Sequence, residues 1–171
     1  SEGVVRLSGA YGPDGQECPE VLKLAAQNAV LESGLSSPLD DAILSARPIL
    51  PDQFKKLSEV PFDFVRKRVS VLIEQEGGAL LITKGAFERV LEACTTIRGG
   101  GPLDQAQREA LSGHFRRFSE QSICVLAVAT RALPAGTACG RELERELQFE
   151  GFLSFLDRPK EGVTESMERL A

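Results

Sequence analysis

The spacing of apolar residues along this chain switches repeatedly between two periods, and the switches mark its elements. Residues 4–7 form a short strand in a turn-rich first segment. Over residues 19–32, Val21, Leu24, Ala25, Ala29 and Leu31 recur at helical spacing, with Pro19 in the first turn and Gly34 as a stop. Ser37 precedes Pro38, with an acid, Asp40, three residues after the serine. That capping pattern starts a second helix, which Pro48 ends. The period then drops to two. Val69, Val71 and Ile73 alternate with Ser70, Leu72 and Glu74; Gly77 and Gly78 supply a turn; residues 79–83 return as the second strand of a hairpin. Gly85 is expected to break that strand and open a helix over 86–94, carried by Phe87, Val90, Leu91 and Cys94. Three consecutive glycines fall in a loop at 98–102, and a longer amphipathic helix over 103–120 sets Ala106, Ala110, Leu111, Phe115 and Phe118 on one side. Residues 123–129 are almost continuously apolar, as in a strand covered on both faces. A loop follows at 133–140, then a short charged helix at 141–146 and a last strand region at 147–156, broken at Asp157-Arg158-Pro159. The predicted class is α+β, an antiparallel β-sheet flanked by helices.

Composition narrows the picture. A chain of 171 residues, 42% hydrophobic and 26% charged, fits one globular domain with a real core. Its net charge of −5 speaks against nucleic acid as a partner, so an anionic ligand has to be held by local positive charge. No apolar stretch approaches the ~20 residues of a membrane helix, and no signal peptide is visible. The four cysteines, Cys18, Cys94, Cys124 and Cys139, form no CxxC pair, and with the single histidine, His114, they complete no common zinc set. Reduced thiols in a cytosolic setting are the preferred reading. Residues 161–171 look like the start of an unfinished helix, so a piece excised from a longer protein is expected.

The candidate chemistry sits in two short motifs. Pro61-Phe62-Asp63-Phe64-Val65-Arg66-Lys67-Arg68 leads into the first hairpin strand, and Thr83-Lys84-Gly85-Ala86-Phe87-Glu88 ends the second. Together they bring aromatic rings and two lysines onto neighbouring strands. A purine needs a flat apolar surface and a triphosphate needs cations, so the pair reads as a nucleotide pocket without a glycine-rich phosphate loop. Each residue alone has a plainer reading. Phe62 suits a core position as well as a base stack. Phe64 is expected on the same side, so that one ring serves the core and the other a ligand. Lys67 belongs to a charge run of the kind that usually faces solvent. Lys84 could be an exposed lysine before a turn, while Gly85 would admit close approach of a ligand at a helix start. Asp40 is explained by its cap, yet could also accept from an adenine amino group. His114 reads as a surface or boundary residue. No nucleophile–base pair, metal spacing or GxxxxGK[ST] loop is present.

Taken in order, these segments resemble the nucleotide-binding (N) domain of P-type cation-transporting ATPases. Ser37-Pro38-Leu39-Asp40-Asp41-Ala42 is similar to that family's N-P-x-E/D-x-A segment. Phe62, Lys67 and the Ser70-Val71 pair follow the order of its adenine-stacking aromatic, lysine and serine-hydrophobic pair. Lys84-Gly85-Ala86-Phe87-Glu88 resembles KGAPE, and residues 126–131 resemble the strand after the long helix. Residues 151–160 look like the hinge by which the chain returns to a phosphorylation domain. The wording around Phe62 and Asp157 is most similar to the bacterial magnesium-transporting subfamily. Three positions depart from the pattern: Phe87 replaces a proline, Arg158 replaces the first proline of the hinge, and Cys124 stands where the family places a phosphate-contacting arginine. Arg131 or the Arg116-Arg117 pair is a candidate to compensate.

The resemblance implies an N domain over 1–156 and a hinge over 157–171. It implies ATP as ligand, with Mg2+ in the intact pump. Phe62 stacks the adenine, Lys67 and Lys84 line the pocket, Gly85 allows close approach, Asp40 meets the adenine amino group, and Ala86 is counted with them as nucleotide-binding. The phosphorylated aspartate, the rest of the catalytic machinery and the membrane segments are absent from this sequence. The implied partners are therefore the phosphorylation and actuator domains of the same parent chain, on the cytoplasmic side of a cell membrane, with the γ-phosphate delivered to an aspartate on another domain. A non-catalytic interaction module that kept the fold and lost the nucleotide is the alternative, favoured by Cys124. A free-standing kinase or phosphatase is disfavoured by the missing aspartate motifs. Lys84→Ala and Phe62→Ala are both expected to weaken ATP binding without unfolding the domain.

Overall fold

The computed structural model describes residues 4–34 and 37–158. In chain order they form β1 (Val4–Tyr11), α1 (Pro19–Leu31), α2 (Pro38–Ala46), β2 (Lys56–Val60), β3 (Arg68–Gln75), β4 (Gly78–Ala86), α3 (Phe87–Leu91), β5 (Cys94–Ile97), α4 (Gln105–Glu120), β6 (Cys124–Leu133) and β7 (Leu147–Arg158). Single 3-10 turns fall at Pro51–Gln53 and Arg141–Leu143. The strands make one sheet in the order β1-β7-β6-β4-β3-β2. Every neighbouring pair on that path is antiparallel, and β5 adds to β7 in parallel. The α+β class with an antiparallel sheet is therefore what the chain adopts.

Alternation along the strands feeds two cores, one on each face. Leu72, Leu81, Ala127 and Phe152 point to the face covered by α3 and α4, while Val71, Ile82, Val128 and Phe155 point to the face covered by α1 and α2. The α4 side is closed by aromatic packing: Phe115 stacks on Phe87 at 4.5 Å between ring centroids, and Phe118 on Tyr11 at 4.4 Å. A full capping box starts α4. Asp104 Oδ1 accepts from the Gln107 amide at 2.8 Å, and Gln107 Oε1 accepts from the Asp104 amide at 3.0 Å. On the other face, fully buried Asn28 of α1 donates from Nδ2 to the carbonyls of Val69 and Ile82, at 3.1 and 2.8 Å. This locks α1 onto the β3–β4 hairpin.

Four expectations need correction. Gly85 does not break β4, which pairs with β3 through Arg68↔Gly85 and ends at Ala86. The helix after it stops at Leu91, and Cys94 belongs to β5. The charged segment at 141–146 makes only one 3-10 turn. Phe62 and Phe64 lie in a loop, and both project outward rather than one entering the core: Phe62 is 49% exposed and Phe64 86%. The helix start expected from Glu161 onward, and Pro159 of the hinge, lie outside the described residues.

Candidate nucleotide site

The loop before β3 is held by its own side chains. Asp63 Oδ1 accepts from the Arg66 amide at 2.6 Å and the Asp63 carbonyl accepts from the Lys67 amide at 2.8 Å, closing one helical turn. Lys67 ends it with φ at 53°, a left-handed conformation uncommon for a residue other than glycine. The Arg66-Lys67-Arg68 run then divides. The Arg66 guanidinium makes a two-pronged pair with Glu144, Nε to Oε1 at 2.7 Å and Nη2 to Oε2 at 2.9 Å. Arg68 Nε reaches the same carboxylate at 3.1 Å, and Ser70 Oγ donates to it at 2.5 Å while also bonding Thr83 Oγ1 at 2.7 Å. Glu144 is buried; burial pushes its carboxyl up, but the hydrogen bonds from Arg66, Ser70 and Arg68 outweigh this and hold it below the usual range. Both arginines are thus structural. Lys67 is left exposed, with no ion-pair partner within 4.0 Å among the described residues.

Lys84 is a different kind of lysine. It is only 4% exposed, and its ammonium lies 2.9 Å from Asp40 Oδ1 and 3.9 Å from Glu32 Oε2. Asp40 occupies its place because Ser37 caps α2, the serine hydroxyl accepting the Asp40 amide at 3.1 Å. The Asp40 side chain does not reach back to the Ser37 amide to complete a capping box but pairs across to Lys84 on β4. Glu32 follows the last turn of α1. Burial, reinforced by Asp40 and Glu59, pushes its carboxyl up to about 7 against the pull of Lys84. Its Oε2 is buried with no hydrogen-bond partner.

These groups surround one cavity of about 380 Å³, at the ends of β3 and β4 on the α1–α2 face. Asp40, Phe62, Lys67, Lys84, Gly85 and Ala86 all line it, with Phe64, Leu126 and Glu32. All six residues picked from sequence are therefore brought together. Phe62 and Phe64 meet edge to face at 5.7 Å on the rim. Gly85 is required there for a reason other than ligand approach: a Cβ on it would stand 2.3 Å from the Lys67 carbonyl oxygen and 2.7 Å from Arg68 Cα. Glycine lets the loop cross β4, and the Ala86 amide then donates to the Lys67 carbonyl at 3.0 Å.

None of the three candidate compensating arginines lines the cavity. Arg131 binds the carbonyls of Leu143 and Arg145 and pairs with Glu146. Arg116 and Arg117 sit on exposed positions of α4. Cys124 begins β6, half-buried beside the α1–α2 core. His114 lines a separate, larger cleft of about 630 Å³ between the 12–18 turn and α4, where burial and Arg117 lower its pKa. No group of three or more metal-ligating side chains occurs among the described residues. Sequence reading missed Glu32, Glu144 and Asn28. An asparagine on the apolar face of α1 was the one available signal for the last of these.

A family model described as P-type ATPase, cytoplasmic domain N, matches residues 22–162. The chain is 38% identical over 169 residues to a Salmonella typhimurium protein named Magnesium-transporting ATPase, P-type 1, covering 91% of this chain and 19% of that one. It is 35% identical over 167 residues to the Escherichia coli protein of the same name, at 91% and 18% coverage. It is 32% identical over 122 residues to calcium-transporting ATPase 3, endoplasmic reticulum-type, of Arabidopsis thaliana, at 68% and 12% coverage. The chain thus spans about a fifth of the length of the magnesium-transporting relatives. With its sheet, its helices and the ordered motifs, it belongs to the P-type cation ATPases, as a chain of their cytoplasmic domain N type.

Proposed function

We propose that this chain is the ATP-binding domain of a membrane cation-transporting P-type ATPase, with magnesium as the transported ion. The magnesium assignment rests on the names of the bacterial relatives. The carrying observation is the single cavity of about 380 Å³ that gathers Asp40, Phe62, Lys67, Lys84, Gly85 and Ala86, a size within the ~300–1,000 Å³ range of small-molecule sites. Its residues fit an adenine nucleotide: an exposed ring for the base, an unpaired lysine for phosphate and a buried charge cluster at the inner wall. Phe62 stacks the base. Lys67 meets phosphate, because its charge is paired with no carboxylate among the described residues. Lys84 acts with Asp40, which keeps the acceptor for the adenine amino group in place. Held by its adenosine end, ATP with Mg2+ would present its γ-phosphate to an aspartate on the phosphorylation domain of the parent chain, with the actuator domain as a further partner and this domain on the cytoplasmic side. The work done here is positioning.

A two-dimensional amide NMR titration with ATP tests this reading. Saturable shifts at Phe62, Lys67 and Lys84 are the expected outcome. A second reading, an interaction module that lost its nucleotide, is favoured by Cys124 and by the Asp40 carboxylate that already pairs with Lys84. It would take over if millimolar ATP moved no signal.

A further inference from the structure

Arg66 does not line the cavity, yet it joins the two residues assigned to the ends of the nucleotide. Its side chain is only 11% exposed, and each of its five guanidinium N–H groups has an acceptor. Nη1 donates to the Pro61 carbonyl at 3.0 Å and to Asp63 Oδ2. Nη2 donates to the Arg68 carbonyl at 3.0 Å and to Glu144 Oε2 at 2.9 Å, and Nε donates to Glu144 Oε1 at 2.7 Å. Pro61 immediately precedes Phe62, and Arg68 immediately follows Lys67. One planar group therefore ties the backbone at both outer sides of the stretch that runs from ring to lysine. Buried Glu144, seventy-eight positions away, fixes the plane of that group through its two-pronged pair.

We infer that Arg66, oriented by Glu144, is the positioning residue that sets the span between Phe62 and Lys67, so that one ATP meets both without the loop rearranging. The inference rests on the nucleotide reading of the cavity. Phe64 and Val65, in the middle of the stretch, project into solvent, at 86% and 83% exposed. The loop thus buries too little apolar surface to hold its own shape. A loop ordered only on binding sets its lost conformational freedom against the affinity; one ordered on folding does not. The guanidinium does that ordering in advance. Lysine cannot replace it, because three donors on one nitrogen cannot span two carbonyls and two carboxylates. Arg66 itself touches no part of the ligand. Its effect on ATP passes through the spacing of the two residues that do.

The test is amide NMR titration of the whole chain with ATP and with adenosine, in wild type, Arg66→Lys, Lys67→Ala and the double variant. Arg66→Lys should weaken ATP about tenfold, the size of one charge-assisted hydrogen bond. Adenosine has no phosphate end to be spaced, so its affinity should change by less than about twofold. In the Lys67→Ala background, Arg66→Lys should likewise change ATP affinity by less than about twofold, since the two residues act as one unit. Equal losses for ATP and adenosine, or the same ATP loss with and without Lys67, would show general loosening and overturn the inference. So would an Arg66→Lys variant that binds ATP as wild type does. If Arg66→Lys fails to fold, wild type decides. Backbone order parameters of residues 62–67 should stand near the rigid value of about 0.85 before ATP is added. Values below about 0.6 that rise only with ATP would overturn the inference while leaving the nucleotide reading intact. No shifts with ATP in wild type would overturn both.

Discussion

Lys67 and Lys84 line the same cavity, but their surroundings separate what each can do. Lys84→Ala leaves the buried Asp40 carboxylate without its cation, and breaking a buried pair costs about 3–5 kcal/mol. Urea unfolding should show that loss alongside any loss of ATP affinity, which revises the expectation that this substitution spares the fold. Phe62→Ala should behave as first expected. Its half-exposed ring should change stability by no more than about 0.5 kcal/mol, while ATP titration should show binding weaker by about 1–3 kcal/mol. Glu32 gives a pH signature of its own. Its carboxyl is raised from 4.5 to about 7, so the folded state holds its proton longer than the unfolded chain. The stability contribution of that proton is complete below the unfolded value and is lost as pH rises to about 7. Relative to Glu32→Gln, wild type should therefore lose up to about 3 kcal/mol in urea unfolding between pH 4 and pH 8. At this scale the sequence displayed the residue types of the site but not their charge state. Which lysine is buried depends on Asp40, forty-four positions away.

At the scale of elements, the 61–67 loop is shaped from a distance. Glu144 follows the 3-10 turn at Arg141–Leu143 and holds Arg66, Arg68 and Ser70 together. Glu144→Ala should destabilise the chain by about 3 kcal/mol, since two partly buried guanidinium groups lose their shared buried counter-charge and keep only the more exposed Asp63 and Glu92. Exchange broadening of the amides of residues 61–67 by NMR would show that the loop itself had loosened. Gly85→Ala forces the Lys67 carbonyl away from β4. A cost of at least about 1–3 kcal/mol in urea unfolding is expected, with weaker ATP binding as Lys67 shifts. The hairpin β3–β4, the helices α1 and α4 and the strands β6 and β7 were legible because a buried face imposes a period. β2 was not, because it is an edge strand that buries only Val60 fully. β5 was missed, only its first residue, Cys94, being placed in the predicted helix, because four residues are too few to show alternation and Cys94 fits either period. Glu144 was unreadable for a related reason: a charge among charges carries no sign of burial.

For the molecule as a whole, the sheet is covered on both faces and its cysteines report on that cover. Cys94 is buried, and burial pushes its thiol up to about 12. Cys18, Cys124 and Cys139 are all partly exposed. A thiol reagent at pH 8 should label those three in the native chain and reach Cys94 only on global unfolding, at a rate that tracks urea. One feature of the sheet bears on how the domain resists force. β1 and β7 are antiparallel neighbours, and Val4 is paired with Arg158. Tension applied between those two residues would load the ladder one rung at a time from its open end, peeling β1 away as a zipper opens instead of shearing all its bonds at once. The described fold is mechanically soft along the line joining its ends, and β1 is the strand that such a pull would release first, drawing Val5, Leu7 and Ala10 out of the α1–α2 core as it goes.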